Sequence, residues 1–203
     1  MDKIKAVIFD FGGVLIDWNP YYFFRKVMVN DTEIERFLQE VNFKDWNYEL
    51  DKGVPFKQGV EELCRKFPQR AELIRLYDAR WEETLGCVFA ATVELVKKVK
   101  YSGLPVFGLS NWSVEKFALV RPKHDFLNWF EDIVVSGEVK LAKPDPRIYQ
   151  LLLQRNGLKP EDCLYIDDSE DNIRGARQVG LNVIHYQSSR QLQNELQKFG
   201  LEI

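Results

Sequence analysis

Four consecutive apolar residues, Ala6-Val7-Ile8-Phe9, run straight into a carboxylate, Asp10, near the start of this 203-residue chain. A strand without polar alternation is buried on both faces, so helices must cover it above and below. Ile4 to Phe9 therefore reads as an inner strand, and the same texture returns at Leu104–Leu109, Asp132–Val135, Cys163–Ile166 and Asn182–His185. Between these runs, apolar residues three and four apart predict helices over Ala90–Tyr101, Ser113–Leu119, Arg147–Asn156, Asp171–Val179 and Gln191–Phe199. Strands alternating with helices imply right-handed crossovers and a doubly wound parallel sheet, an α/β class of fold.

One block breaks the alternation. From Asn19 to about Leu85 the spacing is helical throughout, as in Ile34, Phe37, Leu38 and Val41, and predicts four or five helices with no convincing strand. Asp31-Thr32-Glu33 and Val54-Pro55 supply helix starts there. The expected organisation is a discontinuous core, residues 1–17 and 88–203, with a helical insert over 18–87 hinged near Asp17 and Gly86. The insert is rich in aromatics, most of which pack a small helical bundle. Trp18 and Trp46 are the two expected to face a cleft between insert and core.

Composition excludes several partners. The net charge of −3 leaves no basic footprint for nucleic acid or an anionic membrane. No segment approaches the roughly 18 apolar residues of a membrane span, and the N-terminal apolar run is too short for a signal peptide. Cys64, Cys87 and Cys163 are an odd number without CxxC spacing, which fits reduced thiols in a cytoplasmic protein. The expectation is a cytoplasmic monomer or homodimer acting on a small molecule.

In open α/β sheets, ligands bind beyond the carboxyl ends of the strands. Those ends carry Asp10, then Ser110-Asn111, then a loop through Gly137 to Lys143-Pro144, then Asp167-Asp168. Singly, each reads as a helix cap or a solvated loop. Together they put three carboxylates, a hydroxyl and an ammonium on one edge. Two carboxylates 4 Å apart repel by roughly 4 kcal/mol at an effective dielectric of 20. A cation relieves that, and all-oxygen donors on a partly hydrated site suit Mg²⁺, which also binds phosphate. A carboxylate held there is a competent nucleophile toward phosphorus.

Asp10-Phe-Gly-Gly-Val-Leu, Leu109-Ser-Asn, Lys143-Pro144 and Tyr165-Ile-Asp-Asp-Ser resemble the four ordered motifs of the haloacid dehalogenase-like hydrolase superfamily. The insert resembles that superfamily's α-helical cap. Lys143-Pro-Asp-Pro-Arg-Ile-Tyr and Asp167-Asp-Ser-Glu-Asp-Asn-Ile-Arg-Gly-Ala look closest to a bacterial branch of sugar-phosphate phosphatases. That branch includes glucose-1-phosphate phosphatase and is related to the N-terminal domains of soluble epoxide hydrolases. The resemblance implies a Mg²⁺-dependent phosphatase of a small phosphorylated metabolite, a sugar phosphate for preference. It makes Asp10 the nucleophile and a metal ligand, with the Gly12 carbonyl and Asp168 as further ligands and Asp167 supporting the metal directly or through water. Ser110, Asn111 and Lys143 would bind the phosphoryl group.

One departure stands out. Most phosphatases of the superfamily carry a second Asp two residues after the nucleophile, as general acid and base, and here that position is Gly12. Such help is worth about 100- to 10,000-fold. Either the leaving group is acidic enough to need no proton, or Asp17, Glu49 or Asp51 substitutes, or the chain binds more than it catalyses. The last is the rival from another class, a low-activity phosphate-binding module with an interacting cap. Phosphomutase chemistry and dehalogenation rank lower, the first because it must return a proton and the second because paired acids repel a carboxylate substrate.

Overall fold

The computed structural model describes residues 4–201, so the first three residues of the segment 1–17 and the last two of 88–203 lie outside it. Among the described residues the strands are β1 (Ala6–Phe9), β2 (Ile16–Trp18), β3 (Leu85–Val88), β4 (Val106–Ser110), β5 (Asp132–Val135), β6 (Cys163–Asp167) and β7 (Asn182–His185). Five of them form one parallel sheet in the order β5-β4-β1-β6-β7. Chain order splits at β1, with β4 and β5 on one side and β6 and β7 on the other. The crevice of such a sheet lies beyond the carboxyl end of its central strand.

The helices are α1 (Tyr21–Phe24), α2 (Asp31–Glu40), α3 (Phe43–Asp51), α4 (Phe56–Lys66), α5 (Ala71–Ala79), α6 (Ala90–Tyr101), α7 (Val114–Val120), α8 (Ser136–Val139), α9 (Pro146–Arg155), α10 (Glu170–Gln178) and α11 (Ser189–Lys198). Successive residues of β1 serve opposite faces. Val7 and Phe9 join Val96 of α6 and Leu192 of α11 in one apolar cluster. Ala6 and Ile8 join Ile148 of α9 and Ile173 of α10 in the other. A strand that must satisfy both clusters has no room for a polar residue until it leaves the sheet, which it does at Asp10. No helix among the described residues is long and apolar enough to cross a membrane.

α1 to α5 lie in sequence between β2 and β3, and these two strands pair antiparallel, Ile16 with Val88 and Trp18 with Leu85. This ribbon is missing from the sequence reading, which places only hinges at Asp17 and Gly86. Each strand is too short and too unevenly buried to show a period. Asp17 accepts a 2.6 Å hydrogen bond from the Tyr22 hydroxyl. A Cβ at Gly86 would meet the Asp17 carboxylate at 2.4 Å, so glycine is what lets the two strands close.

Inside the helical block, the Tyr77 ring is the hub. Phe23, Phe24, Phe43 and Trp46 surround it at centroid distances of 5.7, 5.5, 5.3 and 5.8 Å. The cluster runs without a break into that face of the sheet. Polar contacts then fix the block on the core. Glu115 of α7 accepts from the Phe56 amide at the start of α4 (3.0 Å). Lys116 of α7, nearly buried, pairs with Asp78 at 2.6 Å and lies 4.1 Å from the Phe56 ring centroid.

Candidate active site

Three neighbouring strands deliver their terminal residues to the crevice: Asp10 after β1, Ser110 at the end of β4, and Asp167 at the end of β6 with Asp168 next to it. Asp10 Oδ1 accepts from the Phe11 amide at 2.7 Å and from Ser110 Oγ at 2.9 Å. Its Oδ2 lies 2.9 Å from Lys143 Nζ. The same ammonium reaches Asp167 Oδ2 at 2.7 Å and the Leu109 carbonyl at 3.0 Å. Lys143 is therefore buried with all three of its N–H donors engaged.

Lys143 is not among the residues that line the cleft. It sits behind Asp10 and ties it to Asp167. Asn111 does the companion work on the backbone, accepting from the Lys143 amide at 2.9 Å and donating to the Lys143 carbonyl at 3.0 Å. Asp167 is fully buried and also accepts from the Tyr165 hydroxyl, the Ser169 amide and the Asn172 side chain. Both its oxygens are occupied, which fits an anchor for Lys143 better than a direct metal ligand.

Oxygens of Asp10, Asp167 and Asp168 all lie within 4.8 Å of one another. Three carboxylates facing one ammonium leave an excess negative charge. Burial pushes Asp10 up to about 8, against the pull of Lys143 and with the help of Asp167 and Asp168. Burial also works to raise Asp167, but Lys143 and the hydrogen bonds hold it below the usual carboxylate range. For Lys143, burial opposes the charge and the two aspartates more than restore it, so its pKa rises. An all-oxygen set with surplus negative charge fits a hard divalent cation of the Mg²⁺ type.

A cleft of about 220 Å³ opens over Asp10. Gly12, Ser110, Asn111 and Asp168 line it from the core, and Trp18, Asn47, Asp51, Phe56 and Trp81 from the residues between β1 and α6. Gly13, Trp112 and Ser113 complete the wall. Trp18 thus lies where the sequence placed it. Trp46 does not: its indole N–H donates to the Gly59 carbonyl at 3.0 Å and its ring packs on Phe43 and Phe56 within the helical block. Phe56, Trp81 and Trp112 are wall residues that sequence reasoning missed. Trp112 had a usable signal, since it follows Ser110-Asn111 directly.

Of the three acids considered as stand-ins for the missing carboxylate, Asp17 is held by Tyr22 and Glu49 pairs with Lys52 at the surface. Only Asp51 is on the wall. His185 donates from Nε2 to the Asp168 carbonyl (2.8 Å), and His124 packs its ring on Phe126. Arg147 pairs with Asp145, its own helix cap, and is exposed.

The two glycines after Phe11 behave differently. A Cβ at Gly13, where φ is +74°, would meet Asp168 Oδ2 at 2.3 Å, whereas one at Gly12 meets nothing within 4 Å. Gly13→Ala is expected to lower stability by about 1–3 kcal/mol through backbone strain and to displace Asp168. Gly12→Ala is expected to change stability by less than about 0.5 kcal/mol. Thermal melts of the two variants, with and without Mg²⁺, check both.

A family model described as haloacid dehalogenase-like hydrolase matches residues 4–180. The chain belongs to the haloacid dehalogenase-like hydrolases. A Mycobacterium tuberculosis phosphatase is 30% identical over 192 residues, covering 88% of this chain and 85% of its own length. A Thermotoga maritima phosphatase of phosphorylated carbohydrates is 28% identical over 197 residues, 90% of this chain and 84% of its own. Among solved structures, a Bacteroides thetaiotaomicron enzyme of this family, in complex with magnesium and inorganic phosphate, superposes with a TM-score of 0.68. It is 24% identical and covers 91% of this chain and 95% of its own, a likeness of fold. The hydrolase family and the α/β fold are thereby shown together.

Proposed function

We propose that this hydrolase is a Mg²⁺-dependent phosphatase of a small phosphorylated metabolite, with a sugar phosphate as the first candidate. The observation that carries the reading is that Asp10 and Asp168 line one cleft, with an oxygen of buried Asp167 within 4.8 Å of theirs and Lys143 pairing with Asp10 and Asp167 beneath it. Asp10 attacks phosphorus, the P–O bond to the leaving group breaks, and an aspartyl-phosphate forms on Asp10. Ser110 Oγ, already bonded to Asp10, holds that carboxylate in line. Lys143 pulls Asp10 toward its ionised form, against burial, and offsets charge from behind. Asp10, Asp168 and the Gly12 carbonyl would hold the ion, which when bound neutralises charge on the phosphoryl oxygens.

Substrate size follows from the cleft. At about 220 Å³ it suits a phosphate with a short attached group, and its aromatic walls suit a ring face. The relative that acts on phosphorylated carbohydrates supports the sugar. Residues 18–87 would act as the cap that selects the leaving group. A cytoplasmic monomer or homodimer, working without nucleic acid or membrane, completes the reading. Dehalogenation shares the fold, but three converging carboxylates would repel the carboxylate of a haloacid substrate.

A panel of phosphorylated metabolites assayed with Mg²⁺ tests this. Release of phosphate that requires Mg²⁺ supports the enzyme; a flat panel supports a phosphate-binding module instead. A second check is stability. Asp10 has a folded pKa near 8, above the ordinary carboxylate value, so the folded chain binds more protons than the unfolded one between those limits. Stability without metal should fall as pH rises from about 4 to 8. Added Mg²⁺ should stabilise most at the alkaline end, where Asp10 is ionised. Melting curves at pH 5 and 8 read both effects.

A further inference from the structure

The position two residues beyond Asp10 is Gly12, and it offers no proton to a leaving group. Nothing in the packing forbids a side chain there, since a Cβ would meet no atom within 4 Å. The carboxylate missing from the floor has a counterpart on the wall that the helical block supplies. Asp51 ends α3 and lines the same cleft as Asp10 and Ser110, and it is the block's one carboxylate on that wall among the described residues.

Asp51 is held where it stands. Asn47, one turn earlier, donates to Asp51 Oδ2 at 3.0 Å. The Ser113 backbone N–H, three residues after Ser110 on the loop that leaves β4, bears on the carboxylate and favours its charged form. Ser136 Oγ donates to the Asp51 carbonyl at 2.5 Å while receiving the Trp112 amide at 2.8 Å. A side chain borne by the insert is thereby fixed in the frame of the phosphate loop.

The geometry points to Asp51 as the general acid for the leaving group and the general base for water, the role that Gly12 leaves open. The inference rests on the phosphatase reading. In the first half-reaction an Asp10 oxygen bonds phosphorus as the P–O bond to the alcohol breaks, and the alcohol oxygen takes the Asp51 proton. In the second, water attacks phosphorus and gives its proton to Asp51 as the Asp10–phosphate bond breaks. Phosphate leaves, and both side chains return to their starting states.

The chemistry of the group fits. Burial of the carboxyl pushes Asp51 up to about 7, against the Ser113 hydrogen bond and the field of Lys143. Lys143 and Tyr77 of α5 are the titratable groups that bear on it electrostatically. The loop after β4 presents it with the Ser113 amide, and the α8 hydroxyl of Ser136 holds its main-chain carbonyl. A carboxyl poised near neutral pH can both give and take a proton. Sequence reasoning named Asp51 beside Asp17 and Glu49, and the cleft separates it from them.

The test compares leaving groups. p-Nitrophenyl phosphate expels a stable phenolate and needs no acid, whereas an alkyl phosphate does. Asp51→Asn is expected to lower kcat/KM for the alkyl ester by about 100-fold or more and for the aryl ester by less than about tenfold. In the unmutated protein, kcat/KM for the alkyl ester alone is expected to fall above about pH 7, as Asp51 loses its proton. That profile stands even where Asp51→Asn fails to fold. Equal losses on both esters, or the same alkaline limb for both, overturns the role of Asp51 and leaves the phosphatase. No Mg²⁺-dependent release from either ester by the unmutated protein overturns the phosphatase reading and this inference with it.

Discussion

Asp10→Asn should abolish turnover and at the same time make the metal-free protein more stable. Loss of the nucleophile removes the covalent route, and a decrease in phosphate release of at least about 1,000-fold is expected. Stability moves the other way because Asp10 is buried beside Asp167 and Asp168 and its charged form is disfavoured, as its pKa near 8 reflects. An amide keeps the shape and the bond from Ser110 while removing one of three crowded charges. Lys143 retains Asp167 as its partner at 2.7 Å. At pH 8 without Mg²⁺ a gain of a few degrees in Tm is expected, given about 2–4 °C per kcal/mol for a chain of this size. A protein placing Asp10 in a merely structural role would lose stability instead. Assay and melting curve on one preparation read both signs.

Lys143→Met is expected to have the largest structural effect. The side chain is fully buried and, among the described residues, its ammonium is the single cation bonded to both Asp10 and Asp167. Its removal strands two buried carboxylates, and breaking a buried pair in this way costs about 3–5 kcal/mol. Methionine fills a similar volume, so the loss reports charge rather than a cavity. The pH dependence gives the sign. Stranded carboxylates have folded pKa values raised above the unfolded ones, so the folded state binds extra protons. The deficit should therefore be small near pH 4 and grow as pH rises toward 8. Activity should fall at least about 100-fold, since Asp10 loses the one charge that pulls it toward its ionised form. Urea denaturation at pH 5 and pH 8 separates this from simple packing loss, which would be equal at both.

Much of this was legible from strand texture. Because β1, β4 and β6 are covered on both faces, their sequences are unbroken apolar runs, and the first polar residue marks the exit from the sheet. That rule found Asp10, Ser110 and Asp167 without coordinates. It could not say that Lys143 lies behind Asp10 rather than before it, because Lys143 comes from a loop whose path depends on the bonds from Asn111. The β2–β3 ribbon escaped for a different reason: a strand of three or four residues has no room for a period. Trp46 and Trp81 illustrate a third limit. Helical spacing puts an aromatic on the inner side of a bundle, but only tertiary packing decides whether that side meets Tyr77, as for Trp46, or the cleft, as for Trp81.

Asp51 shows the same limit at the level of chemistry. Its residue type and place at the end of a helix suit a solvated acid as well as a catalytic one. What distinguishes it is the loop it docks on, since Ser113 and Ser136 belong to distant stretches of chain.

The most direct measurement is mass spectrometry of the protein quenched with acid during turnover of p-nitrophenyl phosphate. The expected result is the mass of one phosphoryl group on the peptide that contains Asp10, formed only with Mg²⁺ present and absent from Asp10→Asn. Steady release of phosphate with no such adduct, or an adduct on any other residue, would contradict the account.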